Sequence, residues 1–141
     1  MRDALVILHY LAFALGIGGG VASLMIGAAQ ATAEPPVKLA MGPVRRRLAF
    51  SAGGAVAVLW LTGLWLVYGW RGGLAAQAPL FWIKMVFVAT LTGFVAVLLT
   101  RILRALKGGT PPPLPLLNTL VTGATASAAL AVLFGVLSFH G

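Results

Sequence analysis

The chain has 141 residues, of which 60% are hydrophobic and 9% charged, and its mean hydropathy is +1.02. Such proportions exclude a soluble domain and identify an integral membrane protein. The net charge of +8 comes from basic residues scattered at the borders of apolar stretches, without aromatic stacking platforms in polar segments, which excludes a nucleic-acid surface. Cysteine is absent, so disulfides, thiolate catalysis, iron–sulfur clusters and Cys-ligated zinc or copper are excluded too.

Four apolar stretches, roughly 4–27, 48–70, 80–99 and 116–139, are long enough to cross about 30 Å of hydrocarbon at about 1.5 Å per residue. The first is followed by Ala31-Thr32-Ala33 before Glu34, a run resembling a small-residue cleavage site. Its apolar stretch is too long for a secretory signal and opens on Arg2-Asp3, so it is read as a retained helix. The connection over 30–47 contains Glu34-Pro35-Pro36 and Gly42-Pro43, which predict irregular ends, with Arg45-Arg46-Arg47 at the start of the second helix. Arg71-Gly72-Gly73 opens a short loop, and Pro79 suits the first turn of the third helix. Thr110-Pro111-Pro112-Pro113-Leu114-Pro115 predicts a stiff extended connector before the fourth.

Links this short predict an all-α, four-helix antiparallel up-and-down bundle filling the single domain 1–141. Lys38, Arg45, Arg46 and Arg47 lie in one long connection and Arg101, Arg104 and Lys107 in the other, against Arg2 and Arg71 on the opposite side. By the positive-inside rule both basic connections are cytoplasmic and both termini face out. Anionic membrane lipids are the expected partners of the basic clusters.

Small residues recur every fourth position at Gly123, Ser127, Ala131 and Gly135, and again at Gly19, Ser23 and Gly27. Such rows let helix backbones approach closely in lipid. The partner helix belongs to this chain, to a second copy, or to a subunit of a larger membrane complex; the spacing does not distinguish these.

The predicted topology gathers His9, Tyr68, Trp70, Trp82, Lys84 and His140 near the outer boundary. His9 stands inside an apolar run, where ionisable groups are costly and usually functional. A neutral imidazole there can ligate heme iron, relay protons or act as a base, or simply bond between helices. On a helix advancing about 100° per residue, Gly16, Gly20 and Gly27 fall within about 20° of the direction of His9, forming a groove for a flat cofactor or for close packing. Lys84 either snorkels to headgroups or presents a cation to a carboxylate or a heme propionate. His140 is penultimate; if helix four is tied down it can approach His9 as a second axial ligand. The acids are Asp3 and Glu34 alone, on opposite sides, which opposes paired-carboxylate catalysis. Gly16-Ile17-Gly18-Gly19-Gly20 lacks the lysine and strand-to-helix setting of a phosphate loop.

From Arg46-Arg47 through Thr62-Gly63-Leu64-Trp65-Leu66 and Trp82-Ile83-Lys84 to Leu91-Thr92-Gly93, with Leu8-His9 in the first helix, the chain resembles the HemJ-type protoporphyrinogen oxidases, and CopD-like membrane domains share a similar plan. The resemblance implies a bacterial cytoplasmic (inner) membrane protein associated with heme b, with His9 as heme ligand and Lys84 as the third-helix lysine of the family. It also implies oxidation of protoporphyrinogen with electrons passed to a membrane acceptor. The family's Trp-x-x-Gly-Leu after the first histidine is replaced here by the glycine run, and its Tyr-His pair by Gly93-Phe94. Minimal loops, small-residue rows and few reactive groups equally suit a noncatalytic accessory subunit of a respiratory or photosynthetic membrane complex.

Overall fold

The first three apolar runs lie wholly within helices that extend past the stretch hydropathy marks, and the fourth lies within a helix as far as it is described, to Leu137. The computed structural model describes residues 2–70, 72–74, 77 and 79–137. They form α1 (Arg2–Thr32), α2 (Pro35–Trp70), α3 (Pro79–Leu106) and α4 (Leu114–Leu137). Among the described residues there is no strand, and all four helices are long and apolar enough to cross a membrane.

The irregular ends expected for the first connection contract to Ala33 and Glu34. Pro35 occupies the first position of α2, where its missing N–H leaves no bond unmade. The Glu34 carbonyl accepts the Lys38 N–H at 3.0 Å, closing the first turn. Gly42-Pro43 does not break the helix: Pro43 sits inside α2, where the carbonyl that loses its partner belongs to Leu39, a residue 79% exposed. Arg45-Arg46-Arg47 therefore lies about three turns into α2 and not at its start. Helix α3 ends in a Schellman motif, with Gly108 at φ +91°. The Gly109 N–H bonds the Arg104 carbonyl at 3.0 Å, and the Gly108 N–H bonds that of Ala105 at 3.2 Å. Residues 109–113 lie outside any helix, and Pro115 falls in the first turn of α4.

Consecutive helices pack side by side and α4 closes the ring on α1. Cross-helix pairs give the directions: His9 meets Thr62 and Arg45 meets Ser23, while Gly20 faces Thr125 and Gly135 faces Lys84. All four neighbouring pairs are antiparallel. The core is built from Ala12, Phe13, Ala55, Leu59, Val88, Leu91, Val95, Ala124, Ala128 and Ala131. Five of these ten are alanine, which brings the helix axes close. Large apolar side chains point outward, among them Leu15, Met25 and Leu61 at 67%, 69% and 70% exposure, an exterior that needs a lipid environment.

Both small-residue rows are used within this chain. Ser127, Ala131 and Gly135 are buried, and a Cβ at Gly123 would strike the Phe94 ring. Ser23 and Gly27 are buried likewise. Gly93, in contrast, is exposed, and a Cβ there meets nothing within 4 Å. Gly93→Ala is therefore expected to raise stability by about 0.5–1 kcal/mol, read from denaturant unfolding in detergent.

Candidate cofactor site

His9 lies two turns into α1, and its Nδ1 is 2.7 Å from Thr62 Oγ1 on α2. The Thr62 hydroxyl donates to the Val58 carbonyl at 2.6 Å. A hydroxyl has one proton, so in the bond to His9 it accepts, and the imidazole carries its proton on Nδ1. That leaves Nε2 with its lone pair. Among the described residues Nε2 makes no hydrogen bond, and no buried side-chain nitrogen or oxygen lacks a partner, so Nε2 is open to the space beside it.

The ring is held on its other sides as well. It stands edge-on to Phe13, with centroids 5.3 Å apart and planes at 86°. Its Cε1 lies 3.4 Å from where a Cβ on Gly63 would be. The imidazole thus lies against α2 at Gly63, where a Cβ would be in van der Waals contact with it. Thr62 and Gly63 are the residues sequence reading did not assign to the site. A threonine in an apolar helix ordinarily bonds its own i−4 carbonyl, and here it does that and accepts from His9 too.

His9 lines a cavity of about 210 Å³ together with Arg2, Trp60, Lys84 and Met85. Trp60 is oriented by donating from Nε1 to Thr92 Oγ1 at 3.0 Å. The Lys84 side chain runs along Gly135, whose missing Cβ would lie 3.6–3.7 Å from Cδ, Cε and Nζ. Histidine and lysine, 75 residues apart in sequence, therefore share one chamber. His140 lies outside the described residues.

Gly16 and Gly20 are placed differently from the expectation that they form the floor beneath His9. Both line a second, larger cavity of about 480 Å³, which meets the first at Phe13 and Leu59, residues lining both. Gly20 is packed against Thr125 of α4, and Gly27 lies under Arg45 and Asn118. The shared angular face is real, but the neighbour changes from turn to turn.

At the far end of the bundle is a polar cluster that sequence reading assigned to topology alone. Arg45 is 7% exposed. It donates from Nε to Ser23 Oγ (3.4 Å), from Nη1 to Gln30 Oε1 (3.2 Å) and from Nη2 to Asn118 Oδ1 (2.8 Å). Gln30 in turn donates to the Lys38 carbonyl at 3.1 Å. One arginine thereby ties α1, α2 and α4 together. The available signal was Gln30 and Asn118, amides near the same helix ends as the arginine triplet.

Among the described residues no three His, Asp or Glu side chains converge to hold a metal ion. Heme makes a smaller demand, since the macrocycle supplies the equatorial nitrogens and the protein needs to add an axial one. A neutral, oriented imidazole with Nε2 open meets it, and the lysine suits a propionate. The volume is less generous: about 210 Å³ is below the roughly 300–1,000 Å³ of usual small-molecule sites. No family profile, curated protein or solved structure matches this chain.

Proposed function

We propose that this chain is a heme-b-associated redox protein of a bacterial cytoplasmic membrane, with His9 as axial ligand and Lys84 as the cation for a propionate. The observation that carries the reading is the Thr62–His9 hydrogen bond at 2.7 Å, which selects the tautomer a metal ligand needs and leaves Nε2 facing available space. By the positive-inside rule the basic end of the bundle is cytoplasmic, which puts the His9 chamber on the outer side. Heme, if bound, would supply one-electron chemistry; His9 and Lys84 would hold it, and the apolar wall around Phe13 and Val88 would exclude water.

Protein produced with ample heme is expected to show a Soret band that His9→Ala abolishes. Thr62→Val keeps the ligand but leaves Nδ1 without its acceptor, so heme affinity is expected to fall about tenfold or more, while Thr62→Ser retains it. Colourless wild-type protein, or a Soret band indifferent to His9→Ala, overturns the reading.

A further inference from the structure

The larger cavity has a chemistry of its own. At one end are Arg45 and Arg46; at the other are Phe13 and Leu59; the wall between is mostly apolar, with Ala52 and Val56 of α2 and Gly16 of α1 among its residues. Along α2, Arg45 and Leu59 are 14 residues apart, about 21 Å of helix. That exceeds the roughly 15 Å of hydrocarbon in one leaflet.

Arg45 is the group that specifies the occupant. It is buried to 7% exposure, yet its three partners are neutral oxygens of serine, glutamine and asparagine. Neither acid of the chain bonds it. Three of its five N–H groups are used, leaving one on each terminal nitrogen. A buried guanidinium without a counter-charge is costly, and a carboxylate or phosphate at the cavity end removes that cost with two charge-assisted bonds. Arg46, exposed beside it, adds a second positive charge at the mouth.

We propose that this cavity binds an amphipathic anion, a carboxylate or phosphate headgroup at Arg45 and Arg46 with one long alkyl chain lying along Gly16 toward Phe13. The site is separate from the His9 chamber and does not depend on heme being there.

The test is native mass spectrometry of the full chain in neutral detergent, titrated in parallel with oleate, phosphatidylglycerol, phosphatidylcholine and inorganic phosphate. Retention of oleate or phosphatidylglycerol at least about tenfold above phosphatidylcholine is expected. Oleate alone identifies a free fatty acid as the source, and phosphatidylglycerol a membrane lipid. Arg45→Gln is expected to lower that retention about tenfold. Because Arg45→Gln also disturbs the bundle, Gly16→Leu is the second variant. A Cβ at Gly16 meets nothing within 4 Å, so the new side chain fills the cavity without touching the arginine, and it favours helix. Gly16→Leu is expected to keep the helical circular dichroism and any Soret band while losing the anion. Equal retention of phosphatidylcholine, binding of inorganic phosphate as tight as that of the amphiphiles, or a folded Gly16→Leu that retains the anion overturns the proposal.

Discussion

Arg45→Ala is expected to lower the unfolding free energy by about 2–4 kcal/mol, measured by denaturant titration in micelles with far-ultraviolet circular dichroism. Interhelical polar bonds in membrane proteins are worth on average about 0.6 kcal/mol each and up to about 1.7. Three are lost at once here, and Asn118, 73 residues away in sequence, loses the donor that links α4 to α2. The opposing effect is relief from burying a cation, which keeps the loss well under the sum of three full desolvation penalties. Arg45→Met separates the two contributions: it fills most of the volume, removes the charge and is expected to cost about 1 kcal/mol less than alanine. Arg45→Lys brings a compact ammonium in place of a planar fork and cannot serve acceptors on two other helices in the same geometry, so it is expected to fall between methionine and alanine. A loss below about 0.5 kcal/mol for Arg45→Ala would show that the cluster does not hold the helices together.

The helix count and order were legible because apolar runs of this length have one way to satisfy their backbone in lipid. The helix ends were not. Hydropathy marks where hydrocarbon stops, whereas the i→i−4 ladder continues through Arg45, Arg46 and Arg47 and through Arg101 and Arg104, all inside helices. Arginine is a good helix former, so nothing local ends the turn there. His9 was legible from its cost. Its partner Thr62 was not, since depth along α2 has to be known to within one residue before a pair can be named. The glycine face shows the same limit. Periodicity correctly put Gly16, Gly20 and Gly27 in line with His9, but Gly20 is 11 residues on, about 16 Å deeper. At each level a different neighbour is met: Gly63 beside His9, open cavity beside Gly16, Thr125 beside Gly20, Asn118 beside Gly27. For the arginine triplet, steps of about 100° send three consecutive side chains in three directions. Arg45 turned inward while Arg46 and Arg47 stayed exposed, and charge counting treats all three alike.

Close approach of α1 and α4 at Gly20 yields the other large expected effect. A Cβ built there falls onto Thr125 Oγ1 and within 3.2 Å of Thr125 Cβ. Thr125 has little freedom to give way, because it is β-branched and its hydroxyl donates to the Val121 carbonyl at 2.8 Å. Gly20→Ala is therefore expected to cost about 1–3 kcal/mol from overpacking, despite the roughly 1 kcal/mol that alanine offers a helix. Gly20→Leu is expected to cost more than Gly20→Ala, above about 3 kcal/mol, and to prise α1 from α4. The contrast is Gly18→Ala two residues away, where an added Cβ meets nothing within 4 Å and stability should rise. Thr125→Ala removes the offending hydroxyl, so Gly20→Ala in that background should lose about 1–2 kcal/mol less than in the wild type, a coupling outside the additivity of independent sites. Additive single and double variants, within about 0.5 kcal/mol, would show that the two residues are not in contact. The consequence reaches both cavities: Phe13 of α1 lines each of them, and Ala128 and Ala131 of α4 line the larger and the smaller. Gly20→Leu is therefore expected to weaken both the proposed heme site at His9 and the proposed amphiphile site at Arg45, whereas Gly16→Leu affects the second alone.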